Sequence, residues 1–185
     1  MSKIIFGLTG LMASGKEVSK KYLEQNYQAS SHRFSTMLRD ILTRLYLPID
    51  RNNLQNLSLD LRTRFGSDTM ARVIAEDVKN DPTDVVIVEG IRRLADIATL
   101  KDLPNFYLVS VDATSELRYQ RLVKRNENIG DADKTFEQFL ADQEREAEIE
   151  IPVVMAQAKY HLNNNGTLAE LYKQIDKIIA DINNQ

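Results

Sequence analysis

No cysteine occurs among the 185 residues. That absence excludes disulfides, thiolate metal centres and a cysteine nucleophile together. An excess of positive charge is missing as well: 24 Lys and Arg stand against 27 Asp and Glu, a formal net charge of -3. The broad basic footprint that nucleic acids select is therefore not expected, although a local basic groove is compatible with the composition. No apolar run approaches the roughly 20 residues that span a bilayer, and the chain enters its first apolar segment without a charged-then-apolar leader. These absences lead to the expectation of a cytoplasmic protein with no membrane partner. His32 and His161 have no partner at metal-ligand spacing, and nothing supports a Ser–His–Asp hydrolase. No repeat, low-complexity tract or linker divides the sequence, so residues 1–185 are expected to form one domain, with 43% hydrophobic residues available for its core.

The most informative segment is Gly10-Leu11-Met12-Ala13-Ser14-Gly15-Lys16. It follows the apolar run Ile4–Thr9 and opens a stretch of helical periodicity. Strand, glycine-framed loop and helix start come in the order of a phosphate-binding P-loop. A tight loop at a helix N-terminus exposes backbone N–H groups that cradle an anion, and Lys16 adds a point charge for the outer phosphates. Gly10, Ala13, Ser14, Gly15, Lys16 and Glu17 are the expected nucleotide-binding positions. Glu17 departs from the pattern, because Ser or Thr there would offer Mg²⁺ a hydroxyl ligand. The alternative is an ordinary glycine-rich strand-to-helix turn.

Elsewhere, strands are expected over 27–30, 84–89, 106–111 and 159–162, besides the first over 3–8. Helices are expected over about 15–26, 33–46, 51–80 with Gly66 as punctuation, 92–102, 114–126, 135–148, and from Thr167 onward. Asp84–Glu89 is a continuous β-branched run, as a parallel strand buried on both faces requires. The alternation predicts an α/β three-layer P-loop NTPase fold: a mostly parallel five-stranded sheet with helices on both faces. An acceptor-binding helical region over about 31–80 and a lid over about 126–134 complete it. The strands ending at Thr9 and Glu89 are expected to meet at one crevice.

Glu89 ends the most apolar strand, and Gly90-Ile91-Arg92-Arg93 follows. A carboxylate there could hold Mg²⁺, directly or through water, or orient an acceptor, and the arginines supply forked donors for phosphate. The alternative is local pairing of Glu89 with an arginine. Ser35 and Arg39 could bind an acceptor phosphate, or be a helix cap and a solvated charge. Arg62, Arg64 and Arg72 flank Gly66 and form either an acceptor pocket or a charged surface. Arg118, Arg121 and Arg125 fall on one face of a helix, ahead of a polar loop over 126–134. Closure of that loop would exclude water from the transferred phosphoryl group. Arg145, among acidic neighbours, suits surface pairing or the lid. Asn163-Asn164-Asn165-Gly166 is a turn that could border a nucleotide base, with Asn165 the residue assigned to it. The guanine-reading Asn-Lys-x-Asp pattern is absent.

Taken together these segments resemble P-loop nucleotide and nucleoside monophosphate kinases over nearly the whole chain. Ser35-Thr36-Met37-Leu38-Arg39 is similar to the adenylate kinase segment Ser-Thr-Gly-Asp-Met-Leu-Arg, which implies that Arg39 binds the acceptor phosphate. Glu89-Gly90-Ile91-Arg92-Arg93 resembles that family's Asp-Gly-Phe-Pro-Arg, mapping the carboxylate to Glu89 and the arginine to Arg93. Arg121 and Arg125 match the basic helix entering the lid. Arg64–Arg72 resembles a segment of phage-type deoxynucleoside monophosphate kinases. Gly7–Gly10 and Asn164–Thr167 look more like dephospho-CoA kinases, although the acidic pair expected after the second strand is replaced by Ser30-Ser31-His32-Arg33. An archaeal-type group of kinase-like proteins matches the Gly-Ile-Arg element and the C-terminal half.

The resemblance implies an enzyme that uses ATP and Mg²⁺ to phosphorylate a nucleotide-type acceptor, a nucleoside or deoxynucleoside monophosphate, as a monomer or homodimer. Lys16, Glu89, Arg121 and Arg125 would be catalytic; Ser35, Arg39, Arg72, Arg92 and Arg93 would bind the acceptor. Dephospho-CoA phosphorylation is the alternative within the class. A nucleotide-binding regulator without phosphotransfer, supported by Glu17, is the alternative outside it.

Overall fold

The computed structural model describes residues 3–125, 130–144 and 149–185. Five strands form one sheet in the order β2-β3-β1-β4-β5, every neighbouring pair parallel. They are β1 Ile4–Thr9, β2 Ser30–Arg33, β3 Val85–Glu89, β4 Phe106–Asp112 and β5 Tyr160–Asn163. Because the two central strands, β1 and β3, are covered on both faces, almost every one of their residues is buried.

Side-chain alternation divides the core in two. Ile4, Phe6, Leu8, Val85, Ile87, Val109 and Val111 meet Leu23 of α1 (Lys16–Tyr27) and the isoleucine stripe of α9 (Leu168–Asn183). On the other face, Ile5, Val86, Val88 and Leu108 meet α2 (Phe34–Arg44), α4 (Thr69–Asn80), α5 (Leu94–Ala98) and α8 (Ile151–Met155). α3 (Arg51–Phe65) contributes only half-buried Leu54, Leu57 and Leu61. Burying an aliphatic side chain contributes about 1.5–3 kcal/mol, so this two-sided core fixes where the strand ends lie.

Several boundaries differ from those the sequence suggests. The second strand runs over 30–33 rather than 27–30, because Tyr27 stays helical and Gln28 ends α1 in the left-handed region at φ 53°. The helix expected over 92–102 is confined to α5 and a 3₁₀ turn, leaving Arg92 and Arg93 in the loop. Of the one expected over 135–148, α7 (Phe136–Ala141) and a 3₁₀ turn at 142–144 are described; residues 145–148, Arg145 among them, lie outside the described residues. α8 was not anticipated; Pro152 sits in its first turn, where a missing N–H costs nothing. α6 (Ser115–Arg125) runs up to residues 126–129 of the expected lid, which are outside the described residues. No helix among the described residues is long and apolar enough to cross a membrane.

Candidate phosphate-binding site

Parallel pairing brings the carboxyl ends of β1, β3 and β4 side by side, with Thr9 opposite Ser110. Residues 10–15 turn there from β1 into α1. Gly10 has φ 148°, and a Cβ on it would meet the Val111 carbonyl. Gly15, the N-cap of α1, has φ 115°, and a Cβ on it would run into the Asn164 amide. Both positions therefore require glycine. Ala13 is also left-handed, at φ 60°. Left-handed residues on either side of Ser14 curl the chain into the kind of concavity in which successive amides converge on an anion. The first-turn N–H groups of α1, which have no intrahelical acceptors, face the same end with the positive pole of the helix. The Lys16 ammonium donates to the Gly10 carbonyl at 2.6 Å and the Leu11 carbonyl at 3.0 Å.

Asn164 straps the loop from the far side. It is 2% exposed, its Nδ2 donates to the Ser14 carbonyl at 2.7 Å, and its own N–H donates to the Asp112 carbonyl at 2.7 Å. Arg121 Nη2 in turn donates to the Asn164 carbonyl at 2.9 Å and weakly to Asn164 Oδ1 at 3.4 Å. The other terminal nitrogen, Arg121 Nη1, is buried with no hydrogen-bond partner, as are the hydroxyls of Ser14 and Ser19. Burial pushes the Arg121 guanidinium below its ordinary pKa.

The helical face bearing Arg118, Arg121 and Arg125 separates into three environments. Arg118 is buried: it donates to the Met12 carbonyl at 3.3 Å and Gln143 Oε1 at 2.8 Å, and lies over the Phe139 ring. Arg121 reaches the loop strap, while Arg125 is exposed at the last turn. Beyond it, Lys134 pairs with Asp142 at 2.6 Å and accepts Tyr119 Oη on its carbonyl at 2.8 Å. The later part of the expected lid is thus fastened to α6 and to the turn after α7.

Glu89 stands at the mouth between two cations. Lys20 Nζ lies 3.3 Å from its Oε1, and Arg33 Nη2 lies 3.1 Å from its Oε2. Glu17 joins the same group, 3.1 Å from Lys20 and 3.8 Å from Arg33. Both oxygens of Glu89 are engaged by cations, and Glu17 offers a carboxylate where a hydroxyl would serve, so this arrangement presents neither a hydroxyl at position 17 nor an unpaired Glu89 oxygen to Mg²⁺.

The acceptor candidates are dispersed. Ser35 is half-buried and Arg39 exposed on α2. Arg72 Nη2 donates to the Phe65 carbonyl at 2.8 Å and to Thr69 Oγ1 at 3.1 Å, tying the break between α3 and α4. Arg62 pairs with Asp96 at 2.8 Å. Asp96 is 2% exposed and also accepts the N–H groups of Arg92 and Arg93, each at 3.0 Å, so it shapes the loop carrying those two side chains. Asn165 is exposed; its Oδ1 accepts the Thr114 N–H at 2.8 Å. His32 pairs with Asp81, and His161 Nδ1 with Ser110 Oγ, both at 2.7 Å.

Asn164, Lys20, Arg33 and Asp96 were not singled out by sequence. Asn164 is one of three consecutive asparagines, and nothing local distinguishes the buried one. Lys20 had a detectable signal: it lies three residues after the anomalous Glu17, on one helix face.

A glycine-framed loop between β1 and α1, at the carboxyl ends of a five-stranded parallel sheet, is the arrangement of the P-loop kinase fold. Solved structures agree. Shikimate kinase from Bacteroides thetaiotaomicron superposes with a TM-score of 0.62 at 15% identity, over 96% of this chain and 98% of that one. TT1252 from Thermus thermophilus gives 0.59 at 18%, over 98% of each. Shikimate kinase from Acinetobacter baumannii, in complex with shikimate, gives 0.55 at 16%, over 97% and 94%. In sequence, the chain is similar to UPF0200 proteins along its length. That of Pyrococcus abyssi is 29% identical over 185 residues, covering 97% of each chain. That of Thermococcus kodakarensis is 26% identical over 181 residues, covering 95% of this chain and 96% of the relative. No family model matches.

Proposed function

We propose that this protein transfers the γ-phosphoryl group of ATP to a nucleotide-type acceptor, a nucleoside or deoxynucleoside monophosphate. The observation that carries the reading is Arg121. One guanidinium nitrogen is tied to the strap that holds the loop, and the other is buried without a partner. A buried unpaired donor costs about 1–3 kcal/mol, more when charged, and an anion seated on the loop would recover that cost.

In this reading the loop amides and the first turn of α1 bind the β- and γ-phosphates. Lys16 leaves the loop carbonyls for the phosphate oxygens. An acceptor oxygen attacks the γ-phosphorus, the bond to the β-phosphate oxygen breaks, and ADP leaves with the electron pair. Arg121 offers Nη1 where negative charge develops, and Arg125, about 6 Å further along the helix, is the second arginine for the transferred group. Ser35, Arg39, Arg72, Arg92 and Arg93 supply the acceptor side, Arg39 and Arg93 foremost. Glu89 holds Arg33 at the mouth, and Asn165 borders the base. No step is assigned to a metal: Glu89, the residue that would hold one, has its oxygens on Lys20 and Arg33.

The test is ADP release with a panel of ribo- and deoxyribonucleoside monophosphates, dephospho-CoA and shikimate. A monophosphate should stimulate release, and Lys16→Ala should lower turnover by about 100-fold or more. Ordinary turnover in Lys16→Ala overturns the assignment. Stimulation by dephospho-CoA alone selects a ribose hydroxyl as acceptor, with Glu89 the candidate base. Tight ATP binding with no stimulation across the panel points to a nucleotide-binding regulator.

A further inference from the structure

Four charged side chains close a ring beside the loop. Lys20 Nζ lies 3.1 Å from Glu17 Oε2 and 3.3 Å from Glu89 Oε1. Arg33 Nη2 lies 3.1 Å from Glu89 Oε2 and 3.8 Å from Glu17 Oε2. Lys21 reaches Glu17 only at 3.9 Å from the outside. The ring has two acids and two bases, so it carries no net charge. Its inner members are well covered, the Lys20 and Glu89 side chains each at 13% exposure, while Glu17 and Arg33 are at 41% and 47%.

The location gives the ring its consequence. Glu17 directly follows Lys16 in the first turn of α1, and Lys20 is one turn further on the face shared with Lys16. A bare carboxylate at Glu17 would oppose a polyphosphate on the loop. Lys20 cancels that repulsion from within the protein. Its pKa is raised: burial alone would lower it, and the two carboxylates outweigh burial.

We infer that Lys20 is a resident cation of the phosphate site, doing for Glu17 and Glu89 what a divalent ion would otherwise do, so that the protein binds ATP with little dependence on Mg²⁺. The inference rests on the loop being a nucleotide-phosphate site. It goes beyond that reading because P-loop chemistry of itself implies a metal ligand at position 17.

The experiment is calorimetric titration of the whole protein with the non-hydrolysable analogue adenosine 5′-(β,γ-imido)triphosphate, in excess Mg²⁺ and in EDTA. The two Kd values should agree within threefold for the unmodified chain. Lys20→Met should raise Kd in EDTA at least tenfold, and Mg²⁺ should restore it by supplying the positive charge that the substitution removes. Adding Glu17→Gln to Lys20→Met should recover binding in EDTA, which a merely misfolded variant would not do. Lys20→Arg should behave as the unmodified chain. A tenfold or greater Mg²⁺ dependence in the unmodified chain overturns the inference and leaves the phosphate site standing. Unchanged EDTA binding in Lys20→Met overturns it as well. Absence of binding in both buffers overturns the phosphate-site reading together with it.

Discussion

At the residue scale, the proposed phosphate site depends on atoms that other residues hold in place. Arg121 is aimed by two bonds to Asn164, and a guanidinium suits this because it can keep one nitrogen on the strap while presenting another. Arg121→Ala is expected to lower kcat by about 100- to 1000-fold with a smaller change in ATP affinity. Arg121→Lys should recover little, since a single ammonium cannot serve both partners; coupled ADP-release kinetics check both. Asn164→Ala removes a buried donor from the Ser14 carbonyl and the weak Oδ1 acceptor of Arg121, while the backbone carbonyl that accepts Arg121 stays in place. It should cost about 1–3 kcal/mol of stability in urea unfolding and also depress kcat. Gly15→Ala should abolish nucleotide binding while the protein still folds, because the new Cβ must displace the strap.

At the element scale, two polar links hold helices against one another. Asp96, buried at the start of α5, joins the loop of Arg92 and Arg93 to α3 through Arg62. Removing one partner strands the other charge, so Asp96→Ala should destabilise by about 3–5 kcal/mol in denaturant titration. The second link joins α1 to α9: Tyr22 Oη and Tyr27 Oη donate to Asp176 Oδ1 at 2.8 Å and 2.7 Å. Burial and the bond to Asp176 raise the Tyr27 pKa; for Tyr22 the bond to Asp176 comes first and burial second. Phenols whose folded pKa exceeds the unfolded one stabilise below about pH 10 and lose that contribution as pH rises through the folded pKa. Thermal unfolding between pH 8 and 11 should therefore show an alkaline loss of stability that is flatter in Tyr27→Phe.

At the scale of the whole molecule, the acid side of the stability profile has its own origin. Asp81 connects the end of α4 to the edge strand β2, accepting from Thr83 Oγ1 at 2.6 Å and pairing with His32 at 2.7 Å. Burial alone would raise its pKa, but the bonds from Thr83, Ser30 and His32 outweigh it and hold the carboxyl well below the usual range. A depressed carboxylate contributes stability above the unfolded pKa, about 3.9, and loses it as pH falls toward the folded value. Asp81→Asn should flatten the loss of stability below about pH 4 while leaving the alkaline side unchanged. The two arms bound a range in which the sheet ends, and with them the loop, keep their geometry.

Order along the chain was legible because it is written in local terms. Ile4–Thr9, the glycine frame and Lys16 state a strand, a loop and a helix start, and β-branched Val85–Val88 states a strand buried on both faces. The start of β2 and the short helix at 151–155 were less legible, since one left-handed Gln28 and a proline in a first helical turn decide them against periodicity. Of the arginines, spacing gave Arg118, Arg121 and Arg125 one face, but only packing separated a buried Arg118 from an Arg121 bonded to the Asn164 strap and an exposed Arg125. Likewise Glu17 was visible as an anomaly, while the ring that neutralises it joins residues 17, 20, 33 and 89 and could not be read from any local window. The sequence by itself thus determined the glycine-framed loop between strand and helix and the parallel sheet that carries it, because backbone conformation and hydrophobic period are properties of neighbouring residues. Only the tertiary structure decided which charges face the loop and which face each other, because that depends on the order in which the strands lie side by side.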